Sequence, residues 1–63
     1  MDREEWVRRF KERIITRADL PRDTPSTDEI VKSELESWPE TEDDWKDTEP
    51  EDAADDNLSY WTE

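Results

Sequence analysis

Apolar residues in the first third of the chain recur with the period of an α-helix. Trp6, Phe10 and Ile14 fall at i, i+4 and i+8, which places them on one helix face, and no Gly or Pro interrupts this pattern. Pro21 disfavours helical geometry at the residue before it, so we expect the helix to end just ahead of this proline. The pattern predicts one amphipathic helix over residues 2–18.

A second helix is predicted over residues 26–38. Ser26 is followed three residues later by Glu29, which fits a capping box, and Pro39 stops the apolar pattern at the other end. Two helices joined by about seven residues pack antiparallel, so we expect a helical hairpin in which the two apolar stripes cover each other. The stripe of the second helix comprises Ile30, Val31, Leu35 and Trp38.

The segment after this hairpin, residues 40–63, has a weaker pattern. Thr41 and Thr48 each precede acidic residues, which is typical of a helix start, and Pro50 suits a first helical turn. We expect short helices at 41–47 and 49–60. The predicted fold is therefore all-α: one small domain over residues 1–63, formed by a helical hairpin and an acidic segment of short helices.

The composition predicts that this fold is only marginally stable. The chain has 63 residues with 21 acidic and 9 basic side chains, a net charge of −12, and no Cys, His or Gly. Few aliphatic residues combined with high net charge are typical of disorder, but four Trp, one Tyr and one Phe oppose that interpretation. So small a chain gains stability from a partner or a second copy, which leaves a homodimer open.

The same composition argues against catalysis. Without His or Cys the chain lacks the usual base and nucleophile at neutral pH, and paired carboxylates would need an enclosed sugar cleft. A calcium-binding EF-hand loop requires a Gly, which is missing. We therefore expect no enzymatic activity, no cofactor and no metal site.

Charge and hydropathy also limit the location and the partners. The charged N-terminus is followed by no apolar run of the kind that directs secretion or spans a membrane, and no Cys is available for a disulfide framework. We expect a cytoplasmic protein. An acidic surface is repelled by nucleic acid and by anionic lipid, so we expect binding to neither. The expected partner is a basic protein, in particular one whose basic groove normally holds nucleic acid.

The acidic charge is concentrated in residues 40–63, which carry eleven acids and a single Lys. If mostly helical, this segment would span about 36 Å, with a charge density close to that of phosphates spaced about 3.4 Å apart along one strand of a duplex. Such a surface could occupy a nucleic-acid groove, or it could simply keep a small protein soluble. The candidate phosphate-mimicking residues are Glu42, Asp43, Asp44, Asp47, Glu49, Glu51, Asp52, Asp55 and Asp56.

Three aromatic residues complete the candidate partner-binding set. Trp45, Tyr60 and Trp61 lie in this acidic segment, where little apolar surface is available to bury them. Each is either an anchor of a small core or a hot spot of an interface. The arginines of the first helix are expected to pair with acids, either within the chain or across a homodimer.

Two stretches carry a resemblance to a known group of proteins. Residues 34–39 (ELESWP) and 50–61 (PEDAADDNLSYW) resemble small acidic proteins of tailed bacteriophages, which open with a helix rich in Trp, Phe and Arg and close with an Ala-Asp-rich stretch ending in Tyr-Trp. In size and charge the chain is also similar to phage anti-CRISPR and other anti-defence proteins, many of which mimic DNA. The resemblance implies an inhibitor acting in the bacterial host cytoplasm. A phage adaptor, morphogenesis or regulatory protein that binds through exposed tryptophans is the alternative.

Overall fold

The computed structural model describes residues 1–22 and 24–62, with only the backbone of residue 62. Residue 23, in the predicted connector, and residue 63, at the end of the predicted acidic segment, lie outside this description. The described chain forms three α-helices and no strand, which confirms the all-α prediction. The α-helices are α1 (Arg3–Ala18), α2 (Pro25–Leu35) and α3 (Pro50–Leu58), with 3₁₀ helices at Asp44–Asp47 and Ser59–Thr62.

Helix α1 forms where the apolar stripe predicts it. The Asp2 carboxylate caps its N-terminus by accepting a hydrogen bond from the Glu5 amide at 2.8 Å. At the other end Asp19 is left-handed, with φ 55° and ψ 47°, a conformation that Asp tolerates better than most residues. The Leu20 amide then donates to the Ile15 carbonyl at 3.1 Å, which closes the helix ahead of Pro21.

Helix α2 begins and ends earlier than predicted. The capping box at Ser26 is not the start; Thr24 is the N-cap, and its hydroxyl accepts from the Thr27 amide at 3.3 Å. Pro25 supplies the first helical residue, a position that suits its fixed φ. The last three residues of the predicted helix lie beyond α2 in a turn, where the Trp38 amide donates to the Leu35 carbonyl at 2.9 Å.

The acidic segment is less helical than predicted. A 3₁₀ helix stands within the expected 41–47 helix, and α3 begins at Pro50 with Glu49 rather than Thr48 at its N-cap position. The longest dimension of the described chain is 28 Å. The continuous acidic rod of about 36 Å is therefore not formed.

Helices α1 and α2 run antiparallel, as expected of a hairpin. Arg3 near the start of α1 contacts Trp38, and Lys11 further along α1 contacts Asp28 near the start of α2. Yet α1 packs far more extensively on α3 than on α2. Ala53 and Ala54 of α3 are fully buried, and such small side chains let the two helices approach closely.

The core thus includes residues from the acidic segment as well as from α1 and α2. Its buried members are Trp6, Phe10, Ile14, Val31, Trp45, Ala53 and Ala54. The ring of Trp6 lies at the centre: it stacks on Phe10 with centroids 5.3 Å apart and meets the edge of Trp45 at 6.0 Å. The ring centroids of Trp38 and Trp6 are also 6.0 Å apart. Aromatic pairs of this geometry add stability beyond the area they bury.

Candidate partner-binding surface

Helix α3 directs two of its acids toward α1. Arg9 donates from Nε and Nη2 to the two carboxylate oxygens of Glu51, both at 2.8 Å. One turn further along, Arg13 makes the same bidentate contact with Asp55, from Nε to Oδ1 at 2.9 Å and from Nη2 to Oδ2 at 2.8 Å. Both pairs are 42 residues apart in sequence, so α1 and α3 run in the same direction. The expected pairing of the α1 arginines with acids occurs within the chain at these two positions.

These contacts set the charge state of the two acids. Hydrogen bonding to the Arg9 guanidinium lowers the pKa of Glu51, and the Arg13 guanidinium likewise lowers the pKa of Asp55, in each case against an opposing effect of partial burial. The same hydrogen bonds raise the pKa of each arginine. Glu51 and Asp55 are thus ionised and half-buried, and their carboxylates are bound by arginines of the same chain. Both acids belong to the candidate partner-binding set, and in the structure their carboxylates are engaged by the arginines of α1.

The remaining acids of α3 form its solvent-exposed side. Asp52 and Asp56 are exposed four residues apart on one face of α3, and Glu49 at its N-cap position is exposed just ahead of them. We call these three residues the acidic stripe. Glu49 also lies 3.9 Å from Arg9 Nη2, at the limit of an ion pair, and its side chain remains 67% exposed.

Four further candidate acids, Glu42, Asp43, Asp44 and Asp47, are exposed just ahead of α3. Asp43 lies 3.3 Å from Lys46 Nζ, one turn along the chain, yet its side chain is 84% exposed. Seven of the nine predicted phosphate-mimicking acids therefore reach solvent.

Other cations of the described chain are engaged elsewhere. Arg8 pairs with Glu5 at 3.6 Å. Lys11 reaches Asp28 at 2.8 Å, and Arg22 reaches Glu12 at 2.7 Å, where its hydrogen bond lowers the pKa of that carboxyl. The acidic partners in these three pairs belong to α1 and α2, so these pairs offset none of the exposed acids of residues 42–56, of which Asp43 lies near Lys46 and Glu49 near Arg9.

Trp45 belongs to the core. Only 6% of it is exposed, and its indole nitrogen donates to the Glu40 carbonyl at 3.2 Å. The Arg3 guanidinium lies over the rings of both Trp6 and Trp45, 5.4 and 5.2 Å from their centroids. Of the two predicted roles, core anchor and interface hot spot, the structure shows Trp45 in the first, and little of its surface is left for a partner to contact.

Tyr60 and Trp61, by contrast, remain at the surface with 68% and 42% of their area exposed. We call this pair the aromatic edge. The Trp61 indole nitrogen donates to Glu34 Oε1 at 2.8 Å, which fixes the ring against the end of α2 while leaving much of it in solvent. The aromatic edge is thus held in place by the fold and is available to a partner.

Sequence reasoning missed Asn57, which holds this region together. It is 6% exposed; its Nδ2 donates to the main-chain oxygen of Glu34 at 3.1 Å, and its Oδ1 accepts from Trp38 Nε1 at 3.1 Å. A signal was present in the sequence: Asn57 follows Pro50, Ala53 and Ala54 at helical spacing and so lies on the buried face of α3.

A shallow groove separates the ends of α1 and α3 beside the aromatic edge. It measures about 270 Å³, below the usual range for sites that enclose a small molecule. Its walls carry both charge signs, since Arg17 and Asp55 both line it, together with Ala18, Leu58, Ser59 and Trp61. The groove is a feature of the surface around Trp61 rather than a separate ligand pocket.

Comparisons with protein-family models, curated proteins and solved structures returned no match. Within residues 1–22 and 24–62, no group of acidic side chains is arranged to hold a metal ion. No helix in the described chain has the length and apolar character needed to cross a membrane. The candidate site therefore consists of the acidic stripe, the exposed acids ahead of it and the aromatic edge.

Proposed function

We propose that this protein is a phage-encoded stoichiometric inhibitor that occupies the basic nucleic-acid groove of a host protein. The observation that carries the proposal is the division of acids on α3. Glu51 and Asp55 pair with the α1 arginines, while Asp52 and Asp56 of the same helix and Glu49 at its N-cap position are exposed to solvent. A surface needed only for solubility requires no such fixed arrangement.

The physical basis is competition for a positive surface. Along the helix axis Asp52 and Asp56 are separated by about 6 Å, the same order as the phosphate spacing of about 3.4 Å. A net charge of −12 also steers the molecule toward a basic partner and raises the rate of encounter. Binding of this kind weakens steeply as salt increases, because the partner's groove exchanges counterions.

The proposed target class is a defence protein or another DNA-binding protein of the host, as with anti-CRISPR proteins of similar size and charge. The protein would act in the host cytoplasm and would not itself contact nucleic acid. Each molecule of inhibitor would block one groove through its charge and shape.

A second function is favoured by a separate observation. Tyr60 and Trp61 remain exposed although the chain has few apolar residues with which to build its core. Their exposure suits an adaptor that binds its partner mainly through apolar contacts. Affinity for such a partner would change little with salt. Trp45 takes no part in this alternative, because it is buried.

An affinity capture from host lysate separates the two functions. The tagged protein is incubated at about 50 mM and about 500 mM salt, bound proteins are identified by mass spectrometry, and duplex DNA is then added as a competitor. We expect capture of a nucleic-acid-binding protein at low salt and its release by DNA. A partner that survives high salt and ignores DNA would support the adaptor instead.

Two matched variants test whether position or total charge matters. The first is Glu49→Gln with Asp52→Asn and Asp56→Asn; the second is Glu4→Gln with Glu29→Gln and Glu36→Gln, three exposed acids of α1 and α2. Both remove three negative charges, in the second case from α1, from the first half of α2 and from its C-cap position. We expect the first variant to lose capture and the second to retain it. Equal losses would contradict a fixed binding face.

A further inference from the structure

The aromatic edge continues the solvent-exposed side of α3. Tyr60 follows Asp56 of the acidic stripe by four residues, about one helical turn, and Trp61 is fixed by its hydrogen bond to the Glu34 carboxylate. An exposed aromatic pair thus lies between carboxylates of two helices. Such a combination of ring faces and negative charge is suited to a cation with a flat apolar surface.

We propose that the aromatic edge binds an arginine side chain of the basic partner. This inference rests on the proposed function and names the contact that completes the same interface. The guanidinium would stack on the exposed ring of Tyr60 or Trp61 and pair with the Asp56 carboxylate. The stripe then supplies salt-dependent attraction, and the aromatic edge supplies contact that depends on arginine in particular.

Arginine fits this position better than lysine. A guanidinium is planar, weakly hydrated and able to hydrogen-bond a carboxylate through two nitrogens while it stacks on a ring, whereas an ammonium is a compact, strongly hydrated charge. The molecule already holds one arginine in this way: Arg3 lies 5.4 and 5.2 Å from the ring centroids of Trp6 and Trp45. Its Nη2 also donates to the Trp38 carbonyl at 2.7 Å.

Charge argues against the other occupants of the aromatic edge. A second copy of the chain would bring another net charge of −12 to the same surface, and the two molecules would repel each other. Arg17 lines the groove beside Trp61 and would repel a further cation there, so we expect the partner arginine at the aromatic edge outside this groove. The acidic character of the surroundings thus selects a basic partner over an apolar or acidic one.

Binding of two peptides with equal charge tests the proposal. Capped deca-arginine and deca-lysine are titrated into the full chain by calorimetry at about 100 mM salt, where exposed charges are partly screened. We expect the arginine peptide to bind about fivefold tighter, the gain typical of an exposed cation–π contact. In a nitrogen-proton NMR spectrum the indole signal of Trp61 should shift on binding, while those of Trp6, Trp38 and Trp45 should not.

Variants assign the preference to the aromatic edge. Tyr60→Ser should reduce the arginine preference toward unity, and Tyr60→Phe should retain it. Asp52→Asn with Asp56→Asn should weaken both peptides and reduce the preference in part, because the carboxylate that pairs with the guanidinium is lost while the rings remain. A preference that survives in a variant carrying both Tyr60→Ser and Trp61→Ser would overturn the inference. Equal affinity of the unaltered chain for both peptides would also overturn it and leave the proposed function standing, whereas binding of neither peptide would remove both.

Discussion

Asn57 and Glu34 are joined by two hydrogen bonds, from Asn57 Nδ2 to the Glu34 main-chain oxygen at 3.1 Å and to its Oε2 at 3.0 Å. The Asn57 Oδ1 accepts from Trp38, and the second carboxylate oxygen of Glu34 accepts from Trp61. One buried amide therefore connects α2, α3 and the aromatic edge. A polar network in which each of these members has a partner favours a single arrangement of the elements it joins.

Replacing Asn57 by Ala should destabilise the protein by about 1–3 kcal/mol, because Trp38 Nε1 and the Glu34 carbonyl would lose their partner in a partly buried setting. The free energy of unfolding measured in urea provides the check. Asp56→Ala, at the neighbouring exposed position, should change stability by no more than about 0.5 kcal/mol. Equal losses for the two variants would show that the network contributes little.

Truncation of Trp45 should destabilise the protein, whereas truncation of Tyr60 should change its stability little. Trp45→Ala removes a buried ring, at a typical cost of about 3–5 kcal/mol. A chain of this length has a total stability of about 3–9 kcal/mol, so this variant should lose much of its fold. Tyr60→Ala should melt within a few degrees of the unaltered chain. Thermal unfolding followed by near-ultraviolet circular dichroism measures both, and a cooperatively folded Trp45→Ala of unchanged stability would contradict the core assignment.

Local patterns determine how much of this fold the sequence predicts. The α1 stripe is long and uninterrupted, so periodicity predicts the helix, and Pro21 predicts where it ends. At α2 two start signals overlap, and Thr24-Pro25 prevails over the Ser26 capping box because proline fixes the first helical residue and disfavours helix at the residue before it. Caps of this kind shift a helix by a residue or two without changing its place in the fold.

The contacts between helices were harder to predict from the sequence than the helices themselves. Ala53 and Ala54 form a weak apolar edge in sequence, yet they fill the space beside α1 that larger side chains could not enter. The pairing of Arg9 with Glu51 depends on a register across 42 residues, and periodicity within one helix carries no information about it. For the same reason a run of acids in sequence did not reveal which carboxylates face a partner and which face α1.

Arg3 should not be replaceable by lysine. Its guanidinium lies between two tryptophan rings and donates to the Trp38 carbonyl at 2.7 Å, and an ammonium cannot reproduce both contacts. Arg3→Lys should lower the free energy of unfolding by about 1 kcal/mol. Lys46→Arg is the control, since Lys46 lies over the exposed side of the same Trp45 ring at 5.7 Å and tolerates either cation. A similar small effect of both changes would contradict the role assigned to Arg3.

The two arginine–carboxylate pairs between α1 and α3 should make stability depend on pH. Because the pKa values of Glu51 and Asp55 are lowered in the folded protein, the unfolded chain binds more protons in acid, and the contribution of the pairs is lost as pH falls below about 5. Protonation of the exposed acids acts in the opposite direction, because it relieves repulsion within a chain of net charge −12. The pH profile of the unaltered protein therefore combines two opposing effects.

A comparison of two double variants separates these effects. Glu51→Gln with Asp55→Asn should be about 1 kcal/mol less stable than the unaltered chain at pH 7, since both pairs are half-exposed, and the difference should shrink toward zero near about pH 3. Asp52→Asn with Asp56→Asn removes the same charge from the exposed side and should leave stability unchanged or slightly raised at pH 7. Urea unfolding across the pH range measures both. Equal stability of the two variants at pH 7 would mean that Glu51 and Asp55 contribute no more to stability than Asp52 and Asp56 do. This result would contradict the division of the α3 acids into structural and partner-facing ones.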